Sequence, residues 1–292
     1  MVNENSARPV AVVTGSSSGI GRATAIGLVG LGWRVIGVGR DPRRSAEAVE
    51  AIGAAAREGG EITMLRADFT SMAQVRGIAE QIREHTDRLD VLINNAGGVR
   101  DRLIITDEGT EATFAANHLA PFLLTRELLP LLTATAATRP PGTVRVLAVS
   151  SSAHRVTQGL NWDDLQSVAS FRPAGAYCQA KLANILFTRE LARRVAGRGI
   201  VAQAMHPGIV DTRFGQDGDV QMRAHMAAAD TVSPDEPADT LLWLATAAEA
   251  AHTPGRYFYR RAEEQPSDAA RDDAAAARLW SESEKILADL GH

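Results

Sequence analysis

The chain is short of cysteine, aromatic residues and net charge. Cys178 is the single cysteine in 292 residues, which excludes an internal disulfide and any multi-cysteine metal site. That usage fits reducing surroundings, and a cytoplasmic location is expected. Phe, Tyr and Trp together make up only 5%, and the abundant Ala, Gly and Arg are the pattern of a GC-rich bacterial coding sequence. A formal charge of −4 leaves no basic excess for nucleic-acid phosphates, so no nucleic-acid partner is expected. No run of about 18 apolar residues occurs, so no membrane span is expected. The opening stretch, MVNENSARPVAVVTG, lacks a basic n-region followed by an apolar h-region, and no signal peptide is read there.

What is present is ordinary for a folded chain: 45% hydrophobic and 23% charged residues. Short apolar bursts alternate with helical stretches throughout. Val10–Val13, Arg34–Val38, Ile62–Arg66, Leu89–Asn94, Val144–Ser150, Ile200–Met205 and Tyr257–Tyr259 read as strands. Helices are expected over residues 19–31, after Pro42, after a capping box at Ser71–Gln74, and over about 108–134, 173–197, 234–246 and 268–289. This alternation predicts an α/β fold. It is a single Rossmann-like, doubly wound domain over 1–292, with about seven parallel strands and helices on both faces. The least regular segments, 152–172 and 209–233, follow strands, so both are expected as substrate loops at the carboxyl edge of the sheet.

The first strand runs into Thr14-Gly15-Ser16-Ser17-Ser18-Gly19-Ile20-Gly21. Gly15 permits a tight turn, Gly19 a close approach to a pyrophosphate, and Gly21 close packing of helix on strand. The helix N-terminus that follows offers free N–H groups to phosphates. The spacing is G-x3-G-x-G rather than G-x-G-x-x-G. After the second strand an acidic residue would bind the ribose 2′-OH of NAD. Gly39 stands there instead, and Arg40 follows, a guanidinium suited to a 2′-phosphate. NADP(H) is therefore preferred, with NAD(H) kept open by Asp41.

Tyr177 and Lys181 lie four apart on one expected helix face. Tyrosine is a poor acid or base near neutrality, and an adjacent ammonium stabilises its phenolate. The pair can then pass a proton to or from a developing alkoxide. Ser151, at the end of the fifth strand, carries a hydroxyl able to orient a carbonyl.

Thr14–Gly21, Asn94-Asn95-Ala96-Gly97, Asn117, Ser151, Tyr177-x-x-x-Lys181 and Pro207-Gly208 occur in the order typical of short-chain dehydrogenases/reductases. The chain resembles that family over residues 9–260. It is most similar to the retinol-dehydrogenase-like branch, through Ser150-Ser-Ser-Ala-His154, the run from Ala176 to Leu191, His206–Thr212 and Ala277-Arg-Leu-Trp-Ser281. The resemblance implies Tyr177 as proton donor and acceptor. It implies that Lys181 binds the nicotinamide ribose and depresses the Tyr177 pKa, and that Ser151 holds the substrate oxygen. Asn117 would fix a water linked to Lys181. Asn94 would support the sheet centre while Asn95, Ala96 and Gly97 line the cofactor. Asp68 and Phe69 would meet the adenine, and Pro207, Gly208, Val210 and Thr212 the nicotinamide. Ser17, Ser18 and Ile20 complete the expected cofactor loop.

The activity so implied interconverts a ketone or aldehyde and an alcohol by hydride transfer, on a small-molecule substrate expected to be lipophilic or polycyclic. The open alternatives are an NAD+-dependent alcohol dehydrogenase and a non-catalytic dinucleotide sensor. The stretch Asn161-Trp-Asp-Asp-Leu165, in the long interval between Ser151 and Tyr177, is expected in a substrate wall. Met222 and Met226 present either one face of a lid helix or ordinary packing. Cys178, His118, His154 and His206 read as local structure, Arg43 and Arg44 as solvated, and no residue cluster has metal spacing. A homodimer or homotetramer built on the 108–134 and 173–197 helices is expected.

Overall fold

The computed structural model describes residues 8–292. Residues 1–7, which open the stretch read for a leader, lie outside it. β1 (Val10–Thr14), α1 (Gly19–Gly30), β2 (Arg34–Gly39), α2 (Pro42–Ala54), β3 (Glu61–Arg66), α3 (Met72–His85) and β4 (Val91–Asn94) form the first half. The second half holds α4 (Ala112–Phe114), α5 (Ala120–Ala136), β5 (Val144–Val149), α6 (Pro173–Arg194), β6 (Ile200–Met205), α7 (Val220–Ala228), α8 (Asp235–Thr246), β7 (Tyr257–Tyr259), β8 (Ala262–Glu263) and α9 (Asp273–Asp289).

The strands form one sheet in the order β3-β2-β1-β4-β5-β6-β7-β8. The first seven are parallel; β8 alone is antiparallel, paired to β7. β1, β4, β5 and β6 are buried along their whole length, because helices cover both faces. α3, α5 and α6 pack on one side, and α1 and α8 on the other. Strand order reverses between β1 and β4, which opens a crevice at their carboxyl ends.

Three local features differ from the sequence reading. β8 arises from a hairpin whose two loop residues, Arg260 and Arg261, sit at φ 48° and 61°. Ion pairs to Glu236 (2.6 Å) and to Asp239 tether them. The helix expected over 108–134 begins only at Ala112. There Glu111 accepts the N–H groups of Thr113 and Phe114, both at 2.7 Å, and a π-helical turn, Ala115–Leu119, precedes α5. The Ser71 capping box is half formed: Ser71 Oγ accepts from Gln74 N, but the Gln74 side chain accepts from Asp68 N at 2.9 Å. Ser71 N donates to Asp68 O instead, and Glu108 caps the next two positions, accepting from Met72 N and Ala73 N.

α9 lies across α5 and α6. Trp280 meets the Phe122 ring edge-on at 4.7 Å and stacks on Phe187 at 5.9 Å. Beside them His118 is fully buried and donates from Nε2 to Ser283 Oγ at 2.7 Å, while the Ser283 hydroxyl donates to Leu279 O. Burial pushes the His118 imidazole down to about 3. The Asn161–Leu165 stretch also packs here, not in a substrate wall. Trp162 and Leu165 join the cluster of Leu182 and Leu279, and Arg278 covers the Trp162 ring at 4.2 Å.

Candidate active site

The carboxyl ends of β1, β2, β4, β5 and β6 enclose a cavity of about 560 Å³. Asp41 lies outside its lining; every other residue singled out above for cofactor or chemistry lines it except Gly21 and Asn117. Those two sit just behind. Gly15 adopts φ +71°, so its N–H and that of Ser16 both reach Val38 O, at 2.8 and 3.2 Å. A Cβ on Gly21 would stand 2.5 Å from Gly15 O and from Asn95 Nδ2. Thr14 joins β1 to β4: its Oγ1 accepts from Asn95 N and Ala96 N, both at 2.9 Å, and its carbonyl accepts from Asn95 Nδ2. Asn94 points the other way, donating to Thr125 Oγ1 on α5. α1 starts without a side-chain cap, so its first N–H groups face the cavity unpaired by side chains.

At the far end stand Gly39, Arg40, Arg44, Asp68 and Phe69. A Cβ on Gly39 would lie 2.5 Å from Ser45 Oγ and 3.1 Å from Ser17 Cβ, so any side chain there would have to turn the Ser45 hydroxyl away. Asp41 is the N-cap of α2 and accepts from Arg44 N at 2.8 Å; that bond holds its carboxyl below the usual range. Arg40 faces Asp68 at 3.7 Å. Arg43 is exposed beside Glu47, as expected, whereas Arg44 turns into the cavity with its side chain 26% exposed. The reason is rotation along α2: adjacent residues point about 100° apart.

The opposite end gathers Ser151, Tyr177 and Lys181. Tyr177 and Lys181 project from one face of α6, with Nζ 5.5 Å from the phenol ring centre. Lys181 donates to Val149 O at 2.9 Å. Of the three consecutive serines, Ser150 is buried and donates to Lys181 O, Ser152 is exposed, and Ser151 hydrogen-bonds Tyr177. Burial lowers Lys181 to about 8. Burial also pushes the Tyr177 phenol up, against the Ser151 hydrogen bond. Desolvation therefore outweighs the phenol-acidifying influence of Lys181 that the resemblance implies.

Asn117 sits in the π turn, fully buried. Its Nδ2 donates to Gly98 O (2.7 Å) and Thr113 O (2.8 Å), and its Oδ1 accepts from Gly98 N (3.2 Å). It thus fixes the loop after β4, and Gly97 lies between it and Lys181.

The 209–233 segment covers the site. Its base is closed by a bridge between Val210 and Val232. Phe214, in the turn Arg213–Asp217, brings its ring 5.0 Å from that of Tyr177. Met222 and Met226 of α7 both line the cavity, which favours the lid reading of that pair. Of the 152–172 segment only Ser152, Ala153 and Val156 reach the cavity. The rest is sewn to α6, where Gln179 bonds Thr157, Gly159 and Asn161 N. Cys178 lines the cavity as a buried thiol, its pKa raised by burial.

His154 and His206 are structural in this geometry. His154 is fully buried, accepts from Ser267 N at Nε2, and so donates from Nδ1 to Ser151 O at 2.7 Å. His206 accepts from Gly208 N, donates to Glu264 at 2.9 Å, and stacks on Tyr259 at 4.2 Å. The loops bearing Ser151 and Pro207 are thereby anchored to the segment after β8. Arg44, Arg100 and Phe214 are cavity residues that the sequence reading missed.

The family described as short chain dehydrogenase matches residues 9–222. Mouse retinol dehydrogenase 14 is 37% identical, over 96% of this chain and 86% of its own length. Mouse polyprenol dehydrogenase is 36% identical, over 95% of this chain and 83% of its own. Among solved structures, an active-site complex of RhlG with NADP from Pseudomonas aeruginosa superposes with a TM-score of 0.68 at 29% identity, covering 88% of this chain and 96% of that one. Among the described residues, no helix is long and apolar enough to cross a membrane.

Proposed function

The chain belongs to the short-chain dehydrogenase/reductase family, enzymes that act on CH–OH and C=O groups, and from that premise we propose an NADP(H)-dependent reductase of lipophilic ketones or aldehydes. The observation that carries the reading is the joint placement of Ser151, Tyr177 and Lys181 at one end of a cavity whose other end holds Arg40 and Arg44. Gly15, Gly19 and the uncapped start of α1 suit a pyrophosphate. The absence of a side chain at Gly39 and the commitment of Asp41 to its helix leave two guanidinium groups, not a carboxylate, for the adenosine ribose. Asp68 and Phe69 border the adenine end, and Asn95, Ala96, Gly97, Pro207, Gly208, Val210 and Thr212 the nicotinamide end.

The cofactor supplies the hydride. The chain's own residues manage position and proton. Ser151 orients the carbonyl oxygen. Tyr177, kept protonated by burial, donates its phenolic proton as that oxygen gains charge; in the reverse direction it accepts one. Lys181 offsets the phenolate charge left behind and offers its N–H donors to the ribose. Asn117 holds the Gly98 backbone against this centre. Val156, Phe214, Met222 and Met226 give the substrate end apolar walls, and retinol and polyprenol dehydrogenases stand among the relatives.

The test is loss of NADPH absorbance with a panel of aldehydes, cyclic ketones and quinones, for the native protein and Tyr177→Phe, with NADH in parallel. Turnover that vanishes in the variant and favours NADPH supports the reading. Turnover that survives in Tyr177→Phe overturns the proton-donor role, and preference for NADH overturns the cofactor assignment. Tight NADPH binding with no turnover of any carbonyl points to a sensor. A homodimer or homotetramer remains our proposal; association over α5 and α6 has to accommodate α9, and light scattering reads the outcome.

A further inference from the structure

Arg100 follows β4 and lines the cavity, half-buried. Its guanidinium lies over Gly98, where a Cβ would be 3.5 Å from Nη1, and it donates to Val99 O at 3.2 Å. Among the described residues it has no carboxylate within ion-pair reach. The other arginines of the cavity are engaged: Arg40 with Asp68, Arg44 with Asp41, and Arg213 with Gln216. Glu111 is no partner for it, since both its oxygens are spent on the N–H groups of Thr113 and Phe114. Asp217, at the cavity mouth, is exposed and forms no ion pair with it.

The surroundings sharpen the question. The loop that carries Arg100 meets the lid, because Val99 Cγ1 lies 3.2 Å from where a Cβ on Gly218 would stand, beside Met222, and Val156, Ala174, Cys178, Phe214, Met222 and Met226 give the cavity apolar or nearly apolar lining. Water satisfies Arg100 while the cavity is open. A lipophilic substrate expels that water, and a guanidinium with five N–H donors, one of them on Val99 O, then needs new acceptors. It cannot shed its proton to escape the cost. A neutral hydrocarbon chain would leave the charge desolvated and unpaired. A carboxylate satisfies charge and geometry together, through two parallel hydrogen bonds.

We propose that Arg100 is an anion-binding subsite that selects lipophilic oxo acids: substrates with the reacting carbonyl at one place and a carboxylate at another. This rests on the carbonyl-reductase reading above and adds the class of substrate. Arg100 is a specificity residue, with no part in the proton transfer.

Two measurements separate the subsite from the activity. The first needs no turnover. Calorimetry on the NADPH-saturated protein compares decanoate with decanamide, for the native chain, Arg100→Met and Arg100→Lys. The second compares kcat/KM for an ω-oxo fatty acid and its methyl ester. The expected result is a preference of about tenfold or more for the acid in both assays. Arg100→Met abolishes the preference while handling the ester and the amide within about twofold of native, and Arg100→Lys restores part of it. The NADPH affinity stays unchanged in both variants. Equal binding of decanoate and decanamide by the native protein overturns the proposal. So does a loss in Arg100→Met shared equally by acid and ester, or weakened NADPH binding, which would assign Arg100 to the cofactor. Discrimination in calorimetry without turnover of any carbonyl keeps the subsite and overturns the reductase reading instead.

Discussion

Replacing Arg40 and Arg44 with leucine removes both guanidinium groups from the adenosine end of the cavity and leaves its walls in place. A hydrogen bond to a charged group contributes about 1.5–3 kcal/mol when sheltered. Arg40 is 51% exposed and already faces Asp68, so solvent and competition reduce its share to about 1 kcal/mol. Arg44 is 26% exposed and keeps about 1.5 kcal/mol. The pair is worth about 2–3 kcal/mol toward a 2′-phosphate, which is about 30–150-fold in Kd. The fold has little reason to suffer. Asp41 caps α2 through the backbone N–H of residue 44, which leucine retains. The assay is a fluorescence titration of each single variant and the double variant with NADPH and NADH. NADPH should weaken about fivefold for Arg40→Leu, about tenfold for Arg44→Leu and more than either alone for both, the double variant departing from the product because the two groups share one phosphate, while NADH stays within about twofold. Added salt should shrink the native preference. Equal weakening of NADH and NADPH would refute the reasoning, because it would mean that the arginines shape the pocket rather than read a phosphate.

The remaining predictions concern protons. Lys181 is charged below about 8, so kcat/KM for reduction should fall as pH rises through that value; Lys181→Arg, charged throughout, should lack that limb, and an unchanged pH profile in the variant would count against Lys181 as its source. His118 stays neutral in the fold down to about 3, whereas the unfolded chain protonates it near its ordinary 6.5. Between those values the unfolded state binds more protons, so stability falls on acidification by up to about 1.4 kcal/mol per pH unit. Denaturant melts of the native chain and His118→Phe across that window should converge as pH drops, and parallel curves would contradict it.

How legible was all this in the sequence? The parallel strands announced themselves because helices bury both their faces, which forces runs such as Val10–Val13 to be apolar throughout. Ser151, Tyr177 and Lys181, which line one cavity, were legible through the order of the family's motifs along the chain, since a tyrosine and a lysine four apart occur on any helix by chance. β8 was not, since its two-residue loop uses arginines at positive φ where Asn-Gly would have signalled a hairpin. Nor was the π turn, because every residue from Thr110 to Thr125 is buried and the stretch has no amphipathic period for an inserted residue to break. Arg44, Arg100 and Phe214 escaped notice for a shared reason. Their aim into the cavity is set by tertiary packing, and an arginine on a first helical turn reads from sequence as solvated. The Asn161–Leu165 stretch misled in the opposite sense: its place in the long interval between Ser151 and Tyr177 suggested a pocket wall, and Trp162 instead shields the seam between α6 and α9.

That seam also sets an order of events during synthesis. His118 and its partner Ser283 are 165 residues apart. At about 5–20 residues per second, a ribosome needs about 10–30 s to make what lies between them. Until α9 emerges, the aromatic faces of Phe122 and then Phe187 have no Trp280 to cover them, and His118 has no hydroxyl to bond. The nascent chain can assemble its dinucleotide crevice early, from β1 to β4, yet it carries a bare greasy flank for most of its time on the ribosome. Yield in a cell should therefore depend on how fast the second half is translated, and on whether a chaperone guards that flank meanwhile.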